Sequence, residues 1–396
     1  MKKAVFISAL ILVGILGVWY VLRREVGDLR PLLPVTENAA DKVKQTNQRL
    51  RGEPLDVPLK LPAGFRISVF ADEMGSGSPR DLQITPGGSL LVSIPNQGQV
   101  LALIDSDKDG TSEEKKVVLQ GLNRPHGLAF WEDKLYVAEE EEVVRYIWNE
   151  NEKTAEFDKK LFDLPAGGRH WTRTIEFTPD GSMYVSLGSS CDVCRENHPW
   201  LAAVIKSNAN GDNPQVFAQG LRNAVFIKVN PSTNKLWGVE MGRDFLGDDK
   251  PPDEINIIKE GHYGWPYCYG DKIYDPAMKD GDQSFCDSTA SPVYEIEAHS
   301  APLGLVFINS PLFPQNWQGD LLVAYHGSWN RSTPVGYKVV RLDVEGENIV
   351  SEEDFLTGFL QGTTALGRPV DLEFGKAGEL YLSDDKAKAV YLIISD

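Results

Sequence analysis

The sequence is short of basic charge, of histidine and of cysteine, and each shortage narrows what the chain can be. Its 40 lysines and arginines face 57 acidic residues, a formal net charge of −17. A nucleic-acid binder presents a basic face, so that class of partner is excluded. Of the 4 cysteines, Cys191 and Cys194 form a C-x-x-C pair followed by Arg195. Covalent haem attachment needs a histidine there, so it is excluded too. Cys268 and Cys286 have no close second pair of the kind a zinc site uses, and two disulfides are the better reading for an exported chain. No long apolar run occurs after residue 22.

What is present begins at the N-terminus. Met1-Lys2-Lys3 precedes an uncharged apolar stretch from Ala4 to Leu22, ended by Arg23-Arg24. That length approaches the roughly 20 residues that cross a bilayer as a helix. Trp19 and Tyr20 suit a membrane interface, and no small-residue cleavage site follows. Residues 1–24 therefore read as one transmembrane signal anchor rather than a cleaved peptide. Residues 25–60 are polar and proline-punctuated and read as a linker.

From Arg80 onward one phrase recurs: a short apolar strand, a turn, then an alternating strand. It starts at Asp81, Gly127, Thr174, Ala224, Leu303 and Val370. Pro86-Gly87-Gly88 and Pro179-Asp180-Gly181 are tight-turn chemistry, since glycine supplies positive φ without steric cost. Each hairpin is followed by a third strand, and five also by a fourth, outer strand. The last unit lacks its fourth, and Phe65–Ala71 is the segment available to supply it. Six four-stranded units closed by an N-terminal strand predict an all-β, six-bladed β-propeller over residues 61–396.

In such a ring, the loops before each innermost strand and after each second strand share one face around the axis. They carry Arg80, His126, His170, Arg173, Arg222, Asn223, Arg243, His299, His326, Arg331 and Arg368. Against an acidic background, this cluster focuses a field suited to an anion. The bland alternative is that the arginines tie neighbouring blades and that His126 and His299 bond loop carbonyls. His170 stands beside Arg173 at an inner-strand start, where a histidine can act as general base. Asp105, Asp107, Asp109 and Glu113 form a partial calcium loop lacking the closing glutamate of an EF-hand, and read equally as an acidic turn.

The segments Gly168–Arg173, Leu187–Cys194, Gly220–Asn223, Asp253–Pro266, His326–Arg331 and Gly367–Asp371 together resemble the glucose/sorbosone dehydrogenase family, nearest its L-sorbosone dehydrogenase branch. The resemblance implies a dehydrogenase using pyrroloquinoline quinone (PQQ) and Ca2+ on a sugar or sugar aldehyde, passing electrons to an unidentified acceptor. His170 would be the base, Arg222 would polarise the quinone carbonyl with Asn223 beside it, and Arg368 would grip cofactor carboxylates. Calcium would take backbone carbonyls of Met241, Gly242 and Arg243. Two positions depart from the family pattern: a second gripping arginine falls on Val370 and a gripping lysine on His326. Arg173, Arg243 and Arg331 are the substitutes at hand. With the anchor, the catalytic domain is expected outside the cytoplasm, in the periplasm or beyond. Two competing readings remain: a calcium-dependent lactonase using Glu139, Asn223, Glu240 and Asp384, and a non-catalytic propeller that binds carbohydrate or protein.

Overall fold

The structure is a computed structural model that describes residues 27–49 and 59–395. Six blade sheets are arranged in chain order, five of them four-stranded and antiparallel, and the third extended by a fifth strand, Gly261–His262, that pairs parallel with Gln215–Gln219. Their innermost strands are Leu82–Ile84, Gly127–Trp131, Arg173–Phe177, Ile227–Val229, Pro302–Phe307 and Pro369–Phe374. The last sheet is completed by Phe65–Ala71, which pairs antiparallel with Ala389–Ser395, Phe65 opposite Ser395 and Ala71 opposite Val390. The expected ring closure is therefore present, with Phe65–Ala71 as the outer strand of the last blade.

Turn chemistry works as the sequence implied. Gly88 and Gly181 sit at φ +96° and +81° and donate to the carbonyls of Thr85 and Thr178, each at 2.9 Å. The apolar core is divided into six clusters, one between each pair of successive blades. Leu91 and Val100 of the first blade meet Leu128 and Val137 of the second, for instance, while Phe70 and Tyr381 of the last meet Leu82 and Leu90 of the first. Near the axis the blades are also tied by polar contacts. The Asp371 carboxylate accepts the Leu82 amide at 2.8 Å across the closure, and Glu176 accepts the Val229 amide at 3.1 Å. Burial raises the Asp371 carboxyl to about 7, and the same effect with neighbouring Asp371 raises Asp81 well above the usual range.

The expected anchor at residues 1–24 lies outside the described residues. Among the described residues no helix is long and apolar enough to cross a membrane. The segment read as a linker departs from expectation, because it contains a docked helix, α1 (Ala39–Arg49). Asn38 caps it reciprocally: the Asp41 amide donates to Asn38 Oδ1 and the Asn38 amide to Asp41 Oδ2, both at 3.0 Å. Ala39, Ala40 and Val43 are buried in the cluster between the fifth and sixth blades. Both cysteine pairs are disulfides, Cys191–Cys194 and Cys268–Cys286.

Candidate active site

The loop Gly168–Thr172 leads into the third blade and is fastened to the loop that leaves the same blade's second strand. Arg169 N donates to Ser190 O at 2.8 Å, and a Cβ on Gly168 would stand 2.5 Å from Ser190 Cα. This places His170 Nδ1 3.0 Å from Ser189 O and 2.8 Å from Ser189 Oγ. A carbonyl only accepts, so Nδ1 carries the proton and Nε2 keeps its lone pair. Burial, then the positive charge of Arg222, pull the imidazole down to about 3, so it is neutral at ordinary pH. Gly188 lets His170 and Asn223 converge: an added Cβ would lie 2.4 Å from His170 Cβ and 2.6 Å from Asn223 Oδ1.

Arg222 is buried at this point. Its Nη2 pairs with Asp192 Oδ1 at 2.7 Å and lies 3.6 Å from Asp244 Oδ2, and its Nε donates to Asp192 O at 2.9 Å. Burial would raise the Asp192 carboxyl, but the Asp244 amide and Arg222 outweigh it and hold it below the usual range. Asp244 also takes an ion pair from Arg169 and a 2.8 Å hydrogen bond from Asn330 Nδ2, linking loops of the third, fourth and fifth blades. Beside Arg222, the Asn223 amide donates to the Glu240 carboxylate, while Asn223 Oδ1 is buried without a hydrogen-bond partner.

Across the axis, His326 Nε2 contacts Asp385 at 2.9 and 3.1 Å, and Arg80 pairs with the same carboxylate at 2.8 Å. Burial and Arg368 outweigh Asp385 and lower His326 to about 4. Arg368 donates to His326 O at 3.1 Å and to Gly327 O, with the Tyr337 ring 5.6 Å away. Its guanidinium has no carboxylate partner among the described residues. Lys386 stands nearby with Nζ donating to Leu33 O at 2.8 Å, and burial followed by Arg368 lowers its pKa.

Several expected site residues take other parts. Arg173 is wholly buried, donates to the carbonyls of His170, Thr172 and Pro165, and is brought to about 10 by burial, so it faces the protein interior. Arg243 pairs with Asp275 at 2.7 Å, and Arg331 with Glu297 at 2.8 Å and Asp249 at 3.2 Å. Val370 belongs to the core between blades. The carbonyls of Met241 and Gly242, expected to hold calcium, accept from Arg222 Nη1 at 3.1 and 2.9 Å. They face a cation already, which opposes a second one in the same place.

The carboxylates of Asp105, Asp107, Asp109 and Glu113 do converge, within 4.8 Å of one another. They lie in the turn between the third and fourth strands of the first blade, however, at the end remote from His170, and loop amides already donate to them. His126 and His299 bond the carbonyls of Arg173 and Gly247 at 3.1 and 2.8 Å, the structural alternative for both. The lactonase ligand set is not assembled among the described residues. Glu139, Glu240 and Asp384 instead accept the amides of Asn123, Asn223 and Arg368.

This geometry can be set against known proteins. The TrAA12-like family matches residues 59–396. The chain belongs to that family. A protein of Borreliella burgdorferi described as uncharacterized is 30% identical over 369 residues, covering 87% of this chain and 93% of its own. The Escherichia coli aldose sugar dehydrogenase YliI is 25% identical over 262 residues, 61% of this chain and 65% of its own. Among solved structures, the holo form of the pyranose dehydrogenase PQQ domain from Coprinopsis cinerea superposes with a TM-score of 0.72 at 21% identity, covering 85% of this chain and 97% of its own. The last likeness speaks to the fold, and it agrees with the six-bladed ring.

Proposed function

We propose that the chain is a PQQ-dependent oxidoreductase that oxidises a sugar or sugar aldehyde of the aldose or sorbosone type outside the cytoplasm, held to the membrane by residues 1–24. The observation that carries this reading is His170. Its Nδ1 is committed to Ser189, its Nε2 is free to accept, and it stands beside Arg222 and Asn223. The relatives' names point to the same chemistry.

The residues present fit PQQ. Arg368 is a cation without a carboxylate, Lys386 is a second cation next to it, and Asn223 Oδ1 is a buried acceptor with nothing to accept. Arg368 and Lys386 would hold the cofactor's carboxylates, so Lys386 takes the place that Val370 leaves empty of charge. When bound, PQQ supplies a quinone that accepts hydride. His170 Nε2 takes the proton from the substrate hydroxyl as the carbon–hydrogen bond breaks. Ser189 holds the ring in the tautomer that can do so. Asp192 and Asp244 fix Arg222, which directs positive charge toward oxygen that becomes negative. Calcium is proposed only as a structural ion in the Asp105–Glu113 turn, apart from these residues.

The test is calorimetric titration of the purified protein with PQQ, followed by dye reduction across aldoses, sorbosone and simple alcohols. Micromolar or tighter binding with turnover on one sugar class is expected. Absence of both binding and turnover would remove the proposal.

A further inference from the structure

The described chain begins at the mouth of the site. Gly27 packs directly on the backbone of Asn330 and Arg331, where an added Cβ would come within 2.2 Å, and the Asp28 amide donates to Arg331 O at 2.8 Å. Asn330 in turn bonds Asp244, the carboxylate beside Arg222. Six residues on, Leu33 O accepts from Lys386, next to Arg368. The short arm 27–33 thus runs along the rim from the fifth blade to the sixth, beside the proposed anion grip.

Two further facts concern this arm. Residues Leu29, Leu32 and Leu33 are 46%, 43% and 57% exposed, and Phe245 on the same face is 46% exposed. Such leucines on a polar rim need a partner more than isolated ones do. The apolar run Ala4–Leu22 ends only five residues before Gly27. At no more than about 3.6 Å per residue, Gly27 lies within about 18 Å of the end of that run.

We infer that the face of the propeller bearing His170, Arg222 and Arg368 lies against the lipid bilayer, with Leu29, Leu32, Leu33 and Phe245 in the interfacial layer. The inference rests on the anchor reading in the proposed function and adds an orientation that an anchor alone does not set. The net charge of −17 opposes adhesion of the whole body to an anionic leaflet, so contact depends on the apolar rim and the short tether. The far ends of the inner strands are about 20 Å away, from six residues at roughly 3.3 Å each. Substrate and electron acceptor must then reach the site from the side, or from within the membrane.

The experiment uses the full-length chain in vesicles of phosphatidylethanolamine and phosphatidylglycerol, with and without brominated acyl chains. All four native cysteines are in disulfides, so single cysteines introduced by Leu32→Cys or Ala377→Cys can be labelled selectively with a fluorophore. Ala377 is exposed in the hairpin turn of the sixth blade, at the end of the sheet remote from the site. The expected result is strong quenching at position 32, at least threefold that at position 377. Equal or reversed quenching on carbonate-resistant protein overturns the orientation and leaves the anchor standing. Release of the chain by alkaline carbonate overturns the anchor and, with it, this inference. A variant with Leu29, Leu32 and Leu33 all replaced by Ser supplies a second check. It should stay in the membrane, and a label at position 245 introduced by Phe245→Cys should lose at least half its quenching. Unchanged quenching there would show that the leucines make no lipid contact.

Discussion

Replacing Asp192 with asparagine isolates the charge that holds Arg222, because the side chain keeps its shape and an oxygen. Arg222 is 4% exposed and Asp192 15%, so water screens the pair little. A hydrogen bond to a charged group is worth about 1.5–3 kcal/mol and a neutral one about 0.5–1.5, so the exchange costs about 1–2 kcal/mol. Arg222 would also keep a single carboxylate, Asp244 at 3.6 Å, which brings the expected cost to about 2 kcal/mol. That is less than the roughly 3–5 kcal/mol lost when a buried partner disappears altogether. Urea unfolding at neutral pH, with a slope of about 3 kcal/mol/M, should show the midpoint falling by about 0.7 M. The pH dependence supplies the decisive control. Asp192 ionises below its ordinary value of 3.8, so its contribution is complete above that value and fades as pH falls through the lower folded-state value. The gap between wild type and Asp192→Asn should therefore be full at pH 7 and smaller at pH 3. A gap under about 0.5 kcal/mol at pH 7, or one unchanged at pH 3, would refute the role given to this pair.

His170→Gln should lower turnover by about 100-fold or more while PQQ affinity, read by calorimetry, changes less than about threefold. With its imidazole held at about 3, wild type should show no His170 limb between pH 5 and 8 in kcat/KM, and a limb near 6.5 would mean the base is solvated. The stability that comes with a neutral His170 is present above 6.5 and is lost as pH falls from there toward 3. Arg368→Met should weaken PQQ binding about 10- to 100-fold and Lys386→Met by less, and an unchanged Kd for both would remove the anion grip. Val43→Asp places a charge in the cluster under α1 and should cost about 2–4 kcal/mol in thermal unfolding; a neutral result would mean that the helix is not docked. Asp105→Asn should reduce any stabilisation by calcium and leave kcat unchanged, since that turn is remote from His170, and a large fall in kcat would contradict the assignment.

The ring was legible because its information is local and repeated. Each hairpin carries its own turn residues and alternation, and the missing strand of the last unit points to a donor at the other end of the chain. His170, Arg222 and Asn223 were legible for a related reason: they start inner strands, and the repeat places all such starts on one face. What could not be read was which cations are free. Arg222 is ion-paired with a carboxylate 30 residues away, and Arg80 with one 305 residues away. Arg173 differs from Arg222 only by how its loop folds back, which leads its guanidinium to three carbonyls of its own segment. Helix α1 was missed although Asn38 and Asp41 stand at capping-box spacing, because only three of its residues are apolar enough to mark a buried face. Lys386 was given no role, since it becomes significant only when Arg368 is found beside it without an acid.

The closing strand and α1 together decide where the N-terminus leaves the molecule. Phe65 pairs with Ser395 at the end of the sheet remote from the site, and Ala71 with Val390 at the near end. A chain that ran straight into Phe65 from an unstructured tether would approach the propeller from the remote side and point the site away from anything the tether held. Instead Asn38 Nδ2 reaches Ala387 O at 3.4 Å and Ala39 N donates to Leu366 O at 2.9 Å, both at the site end. Ala39 therefore stands at the site end and Phe65 at the remote end, and the buried face of Ala39, Ala40 and Val43 keeps the helix there. Three small apolar side chains thus reverse the polarity that the closing strand alone would impose. The same residues would bring the proposed anchor to the mouth of the site.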